Sequence, residues 1–154
     1  MGRTENTVAG GATAISADRQ VLGDRQQYEA GDVMAVDRSG HRRLVKTQEA
    51  YSTLVAGVVS TKPGILASQY DETVKDKQKM LQQEVPLAVV GIVPCKVTAE
   101  NGPIEPGDLL VSASVPGYAM KGTERARMLG AVIGKAMEPL NADKGVIEVL
   151  VTLQ

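Results

Sequence analysis

The chain has 154 residues with 16 glycines, seven prolines, four tyrosines and neither Phe nor Trp, enough for one domain whose core is Val, Leu, Ile, Ala and Met. A formal charge of −1 with both signs interspersed speaks against a general nucleic-acid or acidic-membrane surface. Cys95 is the single cysteine, which excludes an intramolecular disulfide framework and leaves its thiol as a small buried hydrophobe.

Residues 1–27 hold Gly2, Gly10 and Gly11 among scattered Thr, Ala and Ser, and show no sustained period of 2 or 3.6. They read as an arm, a linker or an irregular strand that orders on a partner, ahead of a single β-domain over 28–154. The start, MGRTENTVAGG, lacks the apolar region of a signal peptide and no run approaches a membrane span, so synthesis in the cytoplasm is expected, with no membrane partner. From Tyr28 the pattern sharpens. Glu29-Ala30-Gly31-Asp32 is a turn, Val33 to Val36 a strand, Asp37 to Gly40 a hairpin turn and Arg43 to Lys46 the returning strand. Leu54 to Ser60 is a further buried strand, stopped by Lys62-Pro63-Gly64.

The segment 67–83 has helical composition, with Tyr70, Val74 and Leu81 on one narrow stripe, and is expected to be a short helix or excursion. Tyr70 and Leu81 are the candidate interface residues, because they need cover. Glu84 to Thr98 is too β-branched, and too interrupted by Pro86 and Pro94, for a helix, and reads as buried strand. Asn101-Gly102-Pro103 predicts a loop wider than a two-residue turn. Glu105-Pro106-Gly107-Asp108 is a second turn, opening the strand that starts at Leu109. Pro116-Gly117 turns the chain towards Ala119-Met120-Lys121. One helical turn is expected over 124–129 with Thr123 as its N-cap, and Gly145 to Gln154 is a strand that ends the chain.

The second half repeats the plan of the first. Glu29-Ala30-Gly31-Asp32-Val33-Met34 matches Glu105-Pro106-Gly107-Asp108-Leu109-Leu110, Leu44-Val45-Lys46 matches Ala119-Met120-Lys121, and Val55 to Val59 is aligned with Leu129 to Ile133. Two copies are too few for a solenoid, so the expected fold is all-β: a compact barrel or sandwich of short strands with pseudo-duplicated halves. Gly31, Asp32, Gly107 and Asp108 are its structural turn residues.

Candidate chemistry is sparse. His41 sits at a hairpin tip far from Cys95, so neither a metal cluster nor a histidine-dependent triad is expected. No Gly-rich phosphate loop follows Gly10-Gly11. Ser112 and Ser114 lie near Lys96 and Lys121 and could form a Ser-Lys dyad. Asp32 and Asp108 could pair as carboxylates, but an Asp after a turn glycine commonly accepts from nearby backbone. Tyr51 and Tyr118 could serve as stacking platforms for a small ligand or carbohydrate. No catalytic residue, cofactor or metal is assigned, and an enzyme is not expected.

The runs Val55 to Gly64, Val85 to Gly91, Pro106 to Leu110 and Leu129 to Gly134, with the strand Val146 to Leu153, resemble the C-terminal β-domain of phage tail-spike and neck-appendage proteins. That domain is an intramolecular-chaperone, autoprocessing module of the peptidase G2 type. The resemblance implies the fold and a homotrimer. The strand-rich, glycine-punctuated composition without catalytic residues makes the expected function that of a non-enzymatic, self-associating domain that caps or nucleates a fibre-like or surface assembly. The alternatives are an autoproteolytic chaperone domain, with Ser16-Ala17-Asp18 as the plausible junction, and a small-ligand or carbohydrate-binding module.

Overall fold

The computed structural model describes residues 13–60 and 83–153. The expected helix or excursion over 67–83, with the candidate interface residues Tyr70 and Leu81, lies outside them except for its last residue. Among the described residues the strands are β1 (Thr13–Gln20), β2 (Val33–Val36), β3 (Leu44–Lys46), β4 (Val55–Val59), β5 (Glu84–Thr98), β6 (Leu109–Ser112), β7 (Ala119–Lys121), β8 (Val132–Ala136) and β9 (Lys144–Thr152). The fold is all-β, as the composition predicts. No helix of the described residues is long and apolar enough to cross a membrane.

Five strands close a barrel in the order β5-β7-β6-β8-β9, with β9 pairing back to β5, and the remaining strands lie outside the ring. The duplication is visible in the pairing. In the first half β2 lies between β3 and β4, and β4 leads to the long strand β5; in the second, β6 lies between β7 and β8, and β8 leads to β9. Met34 pairs with Lys46 and Leu110 with Lys121. Register shifts fall at Met34/Ala35 and at Leu110/Val111, so even the irregularity is repeated. The two long strands then join the halves, running antiparallel from Val90 opposite Thr152 to Thr98 opposite Lys144.

One sequence alignment is corrected. The structural equivalent of Val55–Val59 is Val132–Ala136, not Leu129 to Ile133, because Gly57 pairs with Met34 as Gly134 pairs with Leu110. Both glycines admit a neighbouring strand: a Cβ on Gly57 would lie 2.5 Å from the Ala88 carbonyl oxygen, and one on Gly134 would lie 2.0 Å from that of Leu150. They mark close backbone approach rather than the ends of apolar runs.

Two further expectations change. Residues 13–20 form an eight-residue strand zipped onto β5 of the same chain, where the sequence reads as an irregular segment ordering on a partner. The helical turn is a 3₁₀ turn over Arg125–Arg127, and its N-cap is Glu124, without a side-chain capping bond. Thr123 lies one residue before the cap, and its backbone N–H donates to the Tyr51 hydroxyl. Strand β9 pairs with β5 along its length and with β8 over Val149 to Val151, so the chain's last strand is stitched into the sheet. The main core fills the region between β5, β6, β8 and β9, with Val93, Val97, Leu110, Ile133, Val149 and Val151 fully buried. A second cluster, Met34, Leu44, Val59, Val85 and Leu87, packs beneath β2 to β5.

Candidate functional site

A buried polar arrangement grows from the first turn. Gly31 has φ +94°, a conformation that favours glycine, and lets the chain reverse tightly enough for the Asp32 carboxylate to accept from the Glu29 N–H at 2.8 Å. The turn is stitched to the strands around it. Gly31 N–H donates to Val59, Val59 N–H donates to Asp32, and Lys96 N–H donates to Gly31, at 2.8, 2.9 and 3.0 Å. Asp32 is thereby buried at 1% exposure, a burial that a carboxylate sustains only with partners.

Those partners come from two other strands. Lys96 Nζ on β5 lies 2.8 Å from Asp32 Oδ1 and also pairs with Glu29 Oε2, while Lys46 Nζ at the end of β3 is 3.8 Å from Asp32 Oδ2. Burial pulls the Lys96 ammonium down, but its bonds to Asp32 and Glu29 outweigh that and hold its pKa above the ordinary lysine value. The bond from Lys96 holds Glu29 below the ordinary carboxylate range. A lysine held protonated in this way is a poor nucleophile. Tyr28 and Tyr118 flank the group, with Lys46 Nζ 5.9 Å and Lys96 Nζ 5.8 Å from the respective ring centroids.

The second turn repeats the geometry with a thinner shell. Asp108 accepts from the Glu105 N–H at 2.8 Å and sits 3.6 Å from Lys121 Nζ. Its side chain remains 24% exposed. Asp32 and Asp108 thus fill matching turn positions, each accepting from its own turn's backbone, and the lysines that end β3 and β7 are their matched partners. The repeated lysines were visible in the sequence. The recruitment of Lys96 was not, because it depends on β5 crossing the first turn.

Other candidates are dispersed. Ser112 is buried, donates to the Glu49 carbonyl and accepts from the Ser52 N–H, both at 2.8 Å. Lys96 is engaged with Asp32 and Glu29 and Lys121 with Asp108, so no Ser-Lys dyad forms. His41 sits exposed beside Ser39, 2.9 Å from its hydroxyl. Tyr51 is no stacking platform: it is buried at 7% exposure, Arg127 lies over its ring at 4.4 Å, and its hydroxyl accepts from the N–H groups of Thr123 and Glu124. Tyr118 is half-buried, with Lys96 and Lys144 against its ring. Cys95 is fully buried, and burial, with the nearby charge of Asp32, pushes its thiol up to about 12. No group of three or more His, Cys, Asp or Glu able to hold a metal occurs among the described residues.

The surface carries two apolar features that the sequence did not single out. At the bulge where Ile15 pairs with Val90 and Ser16 with Ala88, Val89 is the extra residue of β5, which leaves two successive β-branched side chains outside. Ile15, Val89, Val90 and Leu153 are 46%, 38%, 41% and 37% exposed. Beyond the other end of β1, Leu22, Val36, Val45 and Leu54 line a groove of about 260 Å³.

No protein-family model matches the chain, and no curated protein matches it. Among solved structures, the chain is similar to the C-terminal fragment of bacteriophage phi29 gene product 12, with a TM-score of 0.61 at 12% identity over 90% of this chain and 99% of that one. At that identity the likeness is one of fold: the chain has the architecture of a β-domain that also occurs in a phage protein.

Proposed function

We propose that the chain is a self-associating assembly domain of a phage-type structural protein, acting as three copies that cap or nucleate a larger fibre-like or surface structure. The observation that carries this reading is the fold likeness, over nearly the whole of both chains, to a C-terminal fragment of a phage protein. It agrees with the resemblance to the end domains of tail-spike and neck-appendage proteins. The buried ionic turn fits a structural rather than a catalytic role, since its charges are engaged with one another and tie β3, β5 and the first turn together.

An autoproteolytic role at Ser16-Ala17-Asp18 is disfavoured by the pairing of all three residues with β5 and by the burial of Ser16 at 1% exposure. A peptide bond held in a sheet is presented poorly to a nucleophile. Light scattering coupled to size exclusion at micromolar concentration tests the assembly: a mass near three chains is expected, and a persistent monomer overturns the reading. Intact-mass measurement over days is expected to show no fragment beginning at Ala17 or Asp18.

A further inference from the structure

We propose that the second turn, Glu105 to Asp108, is a docking site for an extended peptide segment carrying a lysine, the place that Lys96 fills on the first turn within the chain. The proposal goes beyond the assembly proposed above, and neither depends on the other.

The two turns are one structure built twice. In each, the glycine N–H donates at 2.8 Å to the residue that ends the third strand of its half, Gly31 to Val59 and Gly107 to Ala136. In each, the aspartate accepts from the glutamate N–H at 2.8 Å, and the lysine that ends the neighbouring strand stands 3.8 Å away in the first turn and 3.6 Å away in the second. The glycines share φ of +94° and +95°, so the turn carbonyl and carboxylates are presented alike.

The turns differ in what crosses them. A single residue of β5, Lys96, makes three contacts with the first turn. Its N–H donates to the Gly31 carbonyl at 3.0 Å, its ammonium lies 2.8 Å from Asp32 Oδ1, and the same ammonium pairs with Glu29. Among the described residues no strand crosses the second turn: the Gly107 carbonyl receives no backbone N–H, Glu105 is exposed without an ion pair, and Asp108 has Lys121 alone. A Cβ on Gly31 would meet Lys96 Cγ at 3.2 Å, whereas one on Gly107 would meet nothing within 4 Å, so the space that β5 fills on the first turn is open on the second. Two carboxylates thus face two ammonium groups at the first turn but only one at the second. Lys135, opposite Leu109 on β8, pairs with neither carboxylate. The second turn is short of one positive charge and one backbone donor. An extended lysine residue supplies both, by a charge-assisted bond and a ladder-type backbone bond. An anionic partner is repelled, and a free amine brings the charge without the backbone donor.

The probe is a synthetic peptide with the sequence of β5 from Ile92 to Thr98, with alanine in place of Cys95. It is titrated at low salt into the isotope-labelled full chain and followed by amide chemical shifts, since an exposed site is screened at high salt. Saturating shifts centred on Glu105, Gly107 and Asp108 are expected. A peptide with glutamine in place of Lys96, and one with an N-methylated backbone nitrogen at that residue, are each expected to bind about tenfold more weakly. Glu105→Gln is expected to weaken the lysine peptide by a similar factor, and because that side chain makes no bond within the chain, the turn itself stays intact. Asp108→Asn, which keeps an oxygen acceptor for the Glu105 N–H, repeats the test. Shifts absent from the turn, equal binding of the glutamine peptide, or undiminished binding by Glu105→Gln overturns the proposal. Equal binding of the N-methylated peptide also overturns it, because the turn would then be taking a bare ammonium group and not a strand.

Discussion

Asp32 and Asp108 occupy the same turn, yet their environments give them different weights. Asp32 is 1% exposed with Lys96 at 2.8 Å, whereas Asp108 is 24% exposed and 3.6 Å from Lys121. Removing one partner of a buried pair leaves a charge that neither water nor protein compensates. Lys96→Met is therefore expected to cost about 3 kcal/mol, and Lys121→Met no more than about 1 kcal/mol; denaturant midpoints of the two variants measure the contrast. Equal losses would mean that burial does not govern these turns. The pH dependence has a definite sign at each end. Glu29 is depressed in the folded chain, so its contribution is present above its ordinary value of 4.5 and is lost as pH falls through its folded value. Lys96 is raised, so its contribution is full below 10.5 and is lost as pH rises through its folded value. Cys95 adds to the alkaline loss, because its thiol ionises near 9.0 when unfolded but only at about 12 when folded. Stability should therefore decline from about pH 9 upward, and a thiol reagent at neutral pH should label Cys95 only after denaturation. Rapid labelling of the native protein would contradict the burial of β5.

At the scale of the elements, the two turn glycines show what the sequence could disclose. Gly31 and Gly107 have φ of +94° and +95°, and Gly-Asp after Glu-x signals such turns directly. Replacing either by Val should cost on the order of 1–3 kcal/mol. Gly31 should lie at the upper end, since its Cβ would meet Lys96 Cγ at 3.2 Å, whereas Gly107 has open space around it. A smaller loss at Gly31 than at Gly107, read from thermal or denaturant unfolding, would contradict that ordering. The turns, the short strands and the duplication were legible because each rests on local chemistry. β1 was not, and the reason is its inverted polarity. Ala14, Ser16 and Asp18 face inward while Ile15 and Arg19 face out, so the usual alternation of apolar inside and polar outside disappears. Burial accordingly raises the pKa of Asp18, against the lowering pull of Arg25 and Arg19. The third repeated segment was misaligned for a similar reason. An apolar run containing a glycine looks alike in several registers, and only the approach of a neighbouring strand distinguishes Gly134 from Gly130. The exposed pair Val89-Val90 was hidden inside a run that reads as core, because a bulge leaves no composition signal of its own.

For the whole molecule, closure of the ring decides which strand the fold can least spare. β9 is the last strand in sequence, and as a free edge it would be dispensable, affecting association more than folding. The pairing places it between β5 and β8 instead, with Val149 and Val151 fully buried. Removing Val149 to Gln154 would strip β8 of its outer partner, expose the paired stretch of β5 from Val90 to Val93, and open the barrel at its longest seam. The lost backbone bonds and apolar burial together are comparable with the roughly 5–15 kcal/mol by which a domain is stable. Truncation after Glu148 is thus expected to abolish cooperative unfolding, followed by far-ultraviolet circular dichroism in denaturant. A control separates loss of the strand from loss of an outward surface: Val146 is 60% exposed on the same strand, and Val146→Thr should change stability by no more than about 0.5 kcal/mol. A truncated chain that still unfolds cooperatively would show that the five-strand ring is not what holds the two halves together.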